Sequence, residues 1–332
     1  MAEVQRIAAE LGASSRAVVT RTELVAAKVD LSVVAALVRA TAWRRLGAGV
    51  YLTSGETVTP LVRAHAAMKY AAGRHADAAE PSAPVLSGLA GCFAARLRWV
   101  PEHTRVQVLV GPGVQRASTD DVLLRRTWDV AQIETWSWDG LRVADPTRLV
   151  VDAARECATL RDVRGVVLGA VADGLTTPAA LRELLDHGAV AKTANTRQAV
   201  RDAELGAASP PEAEVAQHLL GRKVPVLLNA EIWLAGRLLG VVDGYVLGSG
   251  VGYEVDSVER HAGHEELAAT LDRHESFRAA GVELHTTPTR FRGAPDAFVG
   301  RLLAVAGSGV EPPGLDVRPR VIRPRLWTPA AA

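Results

Sequence analysis

The chain is 332 residues long and carries a formal net charge of +1, with 48% hydrophobic and 23% charged residues. That length predicts two or three domains, and the apolar fraction excludes a disordered chain. Near-neutrality names no partner and leaves nucleic acid open, because local patches do the binding.

No uncharged apolar run approaches the ~20 residues needed to span a bilayer. The start, MAEVQRIAAELGASS, carries acids and has no apolar h-region, so a signal peptide is not expected. Cys92 and Cys157 have no CxxC partner and read as free thiols of a cytoplasmic protein.

Residues 1–55 predict three helices and a hairpin. The first helix covers about 3–11, the second opens at Thr20 or Thr22, and the third is capped by Asp30 and runs through LSVVAALVRATA. WRRLGAGVYLT then alternates around a Gly-Ala-Gly turn. Three helices followed by a hairpin is the winged-helix order. In its recognition helix, 31–41, Val34, Leu37 and Val38 are expected to face the core, leaving Ser32, Ala35 and Arg39 outward. Arg44, Arg45 and Tyr51 on the hairpin are placed to meet phosphates, a set that positions a protein on DNA and specifies little sequence. The alternative is a hairpin that packs against residues 58–75 and binds protein, or nothing.

Residues 56–193 predict a mixed α/β middle. PLVRAHAAMKYAAGR and SGLAGCFAARL read as helices, and TRVQVLVG, DVLLRRTWDV and IETWSWDGLRVA alternate as strands do. Asp145-Pro146 caps another helix, and two more stop at Gly174 and Gly188. Residues 194–211 read as a helix leading into a short linker.

Residues 209–306 form a new unit with the order α-β-β-β-α-β-α. The remaining 307–332 are rich in Pro and Arg, including Arg318, Arg320, Arg323 and Arg325, and read as a flexible arm that adds nonspecific phosphate attraction.

The chemistry concentrates in that third unit. Asp243 ends the apolar run LLGVVD, where a carboxylate is costly unless paired or coordinated. Glu254 lies on the next strand, inside GYEVDS, and Asp256 two positions on shares its face. A hard divalent cation, Mg²⁺ or Mn²⁺, offsets such like charges and supports phosphodiester hydrolysis. Against this, Asp243-Gly244 is also a turn pair, and Glu254 with Asp256 also suits a solvated strand face. Ser209-Pro210-Pro211-Glu212 is a capping box, which explains Glu212 structurally while still directing it toward the acidic pair. His261 and His264, in VERHAGH, are candidate general acids or bases.

The SPPE start, the VVDG strand end, YEVDS followed by histidines, and LDRHESFRAAGVEL together resemble the very-short-patch-repair-endonuclease-like branch of the PD-(D/E)XK restriction-endonuclease superfamily. The resemblance implies an α-β-β-β-α-β nuclease domain with Asp243 and Glu254 as metal ligands, Glu212 as an accessory acid, and His261 or His264 as a helper. Asp256 stands where the superfamily has lysine, and Ser257 where glycine is usual. WRRLGAGVYL, VLSGLAGCFAARL and VADPTRLVVDAAR resemble the antitoxin family of the AbiE abortive-infection system, which implies a DNA-binding head and a cognate toxin as partner. Taken together the expected molecule is an α/β multidomain protein: winged helix, mixed α/β middle and restriction-endonuclease-like domain. Its expected role is a metal-dependent DNA endonuclease in phage defence or repair, with double-strand cleavage calling for a homodimer. The alternative is a transcriptional regulator or antitoxin whose third domain is a noncatalytic platform.

Overall fold

The structure is a computed structural model and describes residues 2–73, 82–188, 191–256, 264–288 and 295–320. The described chain is α/β and divides into two compact units, parting between Ala158 and Thr159.

The first unit begins with α1 (Ala2–Gly12), β1 (Val18–Thr20), α2 (Arg21–Ala26), α3 (Leu31–Arg39), β2 (Arg44–Gly47) and β3 (Val50–Leu52). Local chemistry sets these boundaries. Thr20 and Glu23 form a capping box on α2, and the Asp30 side chain accepts from the Ser32 amide to start α3. Leu24, Val34, Leu37 and Trp43 are buried together beneath the helices. The strands order as β1-β3-β2, so Val18–Thr20, which the sequence did not reveal as a strand, completes the hairpin sheet.

Next come α4 (Pro60–Ala72), β4 (Val85–Ser87), α5 (Gly88–Ala94), β5 (Val106–Val110), β6 (Val122–Arg126), β7 (Thr135–Trp138), β8 (Leu141–Ala144) and α6 (Pro146–Ala154). Their strands form a five-stranded sheet ordered β6-β5-β4-β8-β7. Helix α4 is apolar on most sides and packs against all three strands of the N-terminal sheet, as the alternative reading of the hairpin anticipated. A polar clamp reinforces that contact. Arg16 Nε donates to Asp139 Oδ2 at 2.8 Å, and His65 Nε2 on α4 lies 2.9 Å from the same oxygen.

The second unit contains α7 (Leu160–Ala172), α8 (Pro178–His187), α9 (Ala194–Glu204), α10 (Pro210–Gly221), β9 (Val226–Leu234), β10 (Arg237–Val246), β11 (Val251–Asp256), α11 (His264–Ala279), β12 (Glu283–Pro288), α12 (Asp296–Ala306) and β13 (Leu315–Pro319). Helices α7 and α8, read from sequence as part of the middle, cluster here with α9, read as the helix before the linker. The nearly all-buried α7 packs on α9 and α10, and its Arg164 Nε donates to the buried Asp202 at 2.7 Å.

The sheet order is β12-β11-β10-β9-β13. Strands β9, β10 and β11 form an antiparallel meander, and α11 carries the chain over so that β12 runs parallel to β11. The order α-β-β-β-α-β-α expected for 209–306 is the order observed. The arm after it is not wholly free. Leu315–Pro319 forms β13 on the outer edge of β9, where Leu315 and Val317 pack on the core and the strand satisfies backbone groups that an edge leaves open. Arg323 and Arg325 lie outside the described residues. No helix among those described is long and apolar enough to cross a membrane.

Candidate active site: a carboxylate pair on α10 and β10

Asn229 on β9 and Asp243 on β10 stand opposite each other, between the Leu228–Gly244 and Ala230–Val242 pairs. At this step the alternation of the meander inverts. Ala230 and Leu227, three apart, share one core cluster, and so do Val242 and Tyr245. Asn229 absorbs the twist with φ +45°, a left-handed conformation that Asn tolerates through its short polar side chain. The next residues, Leu228 and Gly244, therefore turn away from the cluster that holds Phe277 of α11.

Gly244 pairs with Tyr253 of β11. A Cβ placed on Gly244 would sit 2.1 Å from Tyr253 Cζ and 2.4 Å from its hydroxyl oxygen, so the phenol lies directly on the glycine. Phe298 of α12 meets the same ring edge-on, with centroids 6.1 Å apart. Tyr253 is fully buried, and its hydroxyl has no hydrogen-bond partner among the described residues. Burial pushes this phenol well above its ordinary range, and the charges of Glu212 and Asp243 add to the effect.

Glu212 approaches from the first turn of α10. The Glu212 amide donates to Ser209 Oγ at 3.4 Å, the N-cap read from the sequence, and Ser209 Oγ donates to Glu212 Oε1 at 2.7 Å. The returning bond differs from that of a capping box, because Glu212 Oε2 accepts from the Ala208 amide at 2.9 Å. A further bond was not foreseen: Asn229 Nδ2 donates to Oε2 at 3.0 Å. With only 7% exposure, the Glu212 carboxyl is pushed up to about 7, by burial first and by Asp243 second. Helix cap and acidic neighbour are thus one side chain.

Asp243 Oδ2 accepts the Val255 amide at 2.7 Å, tying β10 to β11 beyond their last paired residues. Glu254 goes elsewhere. Arg273 Nη2 of α11 lies 2.6 Å from its Oε1, and His274 Nε2 lies 3.1 Å from its Oε2. The stem of Arg273 reaches Glu254 across Gly240, where a Cβ would stand 3.2 Å from Arg273 Cδ and 2.9 Å from Phe277 Cζ.

The acids anticipated on one strand face are therefore distributed differently. Asp243 is grouped with Glu212, while Glu254 is neutralised from α11. Among the described residues, no three His, Cys, Asp or Glu side chains gather as a metal site. Asp256 ends β11 opposite Pro288, and His264 opens α11; their side chains and the whole of His261 lie outside the described part. Asn229 and Tyr253 were not singled out from the sequence, and Arg273 and His274 entered only within the stretch LDRHESFRAAGVEL. The one available signal was an asparagine within an otherwise alternating strand.

In the first unit Ser32, Arg39, Arg44 and Arg45 are exposed as expected. Tyr51 is not. It is half-buried at the edge of the core, its ring centroid 6.5 Å from that of Trp43, because its strand lies central in the small sheet.

No family model and no curated protein matches the chain. Among solved structures, the crystal structure of the RV2827C protein from Mycobacterium tuberculosis is similar to 64% of this chain and 80% of its own, with 17% identity and a TM-score of 0.41. That likeness is too remote to carry an argument about function.

Proposed function

We propose that the chain is a divalent-metal-dependent DNA endonuclease, with residues 209–306 as a restriction-endonuclease-like catalytic domain and residues 1–55 as a winged helix that holds DNA. The observation that carries this reading is the buried Glu212 carboxyl, which feels the charge of Asp243 and is held by Asn229, with a buried Tyr253 hydroxyl that has no hydrogen-bond partner among the described residues and feels both acids. A buried acid that feels a second, half-buried one is costly unless a proton or a cation offsets the charge. Their oxygen-only donor set fits a hard cation such as Mg²⁺ or Mn²⁺, with Asp243 and Glu212 holding it. When bound, the cation polarises a phosphodiester oxygen and favours the attacking water.

The chain's own groups supply the remainder. Asn229 orients Glu212, the Val255 amide orients Asp243, and the exposed Arg39, Arg44 and Arg45 offer phosphate contacts. Glu254 joins the cation only if its pairing with Arg273 and His274 opens. The expected result is Mg²⁺- or Mn²⁺-dependent nicking of supercoiled plasmid that Asp243→Asn abolishes.

The capture of both Glu254 oxygens by α11 favours a second reading, a DNA-binding regulator or antitoxin whose third domain is catalytically inert. Tight binding to the DNA upstream of its own gene, with every DNA substrate left intact in either metal, supports that reading over the first.

A further inference from the structure

We infer that Tyr253 is a positioning residue of the acidic centre, its hydroxyl holding a water molecule carried by the cation that Asp243 and Glu212 bind. The inference rests on the proposed cation site and names a group that no sequence motif marks. Tyr253 is fully buried, and its hydroxyl has no hydrogen-bond partner among the described residues. A buried hydroxyl left so costs about 1–3 kcal/mol, and the common resolution is an ordered water or ion.

The polar surroundings suit that resolution. Glu212 and Asp243 act on the phenol from α10 and β10, and Asn229 adds an amide bonded to Glu212. A held water needs two to four polar partners, and the Tyr253 hydroxyl with the Glu212 and Asp243 carboxylates would be its partners here. Magnesium-like cations keep several of their waters on binding, so a protein donor or acceptor beside the carboxylates meets a water before it meets the metal.

The backbone is shaped around the hydroxyl. Gly244 has no side chain where any Cβ would overlap the phenol, and Phe298 braces the ring from the side. A phenylalanine would fill the same apolar space, so the hydroxyl is the one part of Tyr253 that packing does not explain. Residues that orient the partners of a bound metal alter its affinity by about 10- to 100-fold when removed.

The test uses the full chain and Mn²⁺ alone, followed by electron paramagnetic resonance and water-proton relaxation. Tyr253→Phe is expected to weaken Mn²⁺ binding by about 10-fold or more and to change the relaxation of the bound ion's water, while the metal-free variant melts no lower than wild type. A melting loss in Tyr253→Phe with Mn²⁺ affinity unchanged would mark the hydroxyl as merely structural and overturn the inference. If Asp243→Asn loses Mn²⁺ while Tyr253→Phe binds it as wild type does, the cation site stands and the role of Tyr253 falls. If wild type binds no Mn²⁺, the cation site itself fails, and this inference with it.

Discussion

Asn229 faces Asp243 across the β9–β10 ladder and donates its side-chain amide to Glu212 Oε2 at 3.0 Å. One left-handed residue thus joins the strand that carries one acid to the helix that carries the other. Asn229→Asp keeps the size and the tolerance of positive φ but replaces the donor with a third carboxylate. It is expected to destabilise the second unit by about 2–4 kcal/mol at pH 8 and by less at pH 5, where protonation relieves the repulsion. Urea unfolding at the two pH values measures both figures.

The contact between Gly244 and Tyr253 makes a steric prediction. Gly244→Ala forces a methyl into the phenol ring and is expected to cost about 3 kcal/mol or more. Adding Tyr253→Ala removes the obstacle, so the double variant should be less destabilised than the sum of the two single ones. Additive losses in thermal or denaturant unfolding would show that Gly244 matters for another reason.

What was legible in the sequence followed from period and caps. Alternation gave the three-strand meander, and the Ser209 cap gave the start of α10 with Glu212 inside it. Asp243 stood out as an acid ending an apolar strand. The pairing of Glu254 was not legible, because Arg273 and His274 reach it only once α11 is rotated onto the sheet. Nor was the inversion at Asn229, since Asn229, Glu231 and Trp233 alternate like a solvated face until one residue adopts positive φ. The parting after Ala158 was not legible, because the Pro-rich linker near 209 is conspicuous, whereas α7 joins α9 and α10 through packing and the buried Arg164–Asp202 pair.

In the first unit, burial pushes Glu156 up to about 7, while the Leu89 amide donates to its Oε1 at 2.9 Å. The folded state therefore binds this proton more tightly than the unfolded state, whose carboxyl titrates near 4.5. Between those values the unfolded state binds fewer protons, so stability falls as pH rises, by up to about 3 kcal/mol, and levels off above about 7. Glu156→Gln keeps the acceptor for Leu89 and should flatten that decline. Chemical denaturation of both proteins from pH 4.5 to 8 checks the sign and the window.

The exposed Arg44 and Arg45 flank a buried Trp43, so removing their charges leaves the small core intact. If residues 1–55 hold DNA, Arg44→Ala with Arg45→Ala should weaken binding evenly across sequences. The slope of log affinity against log salt should fall by about 2, one unit per lost phosphate contact. Fluorescence anisotropy with several unrelated duplexes gives both quantities, and an unchanged slope would place the contact elsewhere.

The central claim is that Asp243 and Glu212 form a cation-holding acidic centre. Anomalous diffraction from crystals soaked in Mn²⁺ tests it most directly. A peak is expected at about 2.0–2.6 Å from an Asp243 carboxylate oxygen, on the side of Glu212 and Tyr253. Mn²⁺ peaks confined to other sites, with this carboxylate pair left without one, would contradict it.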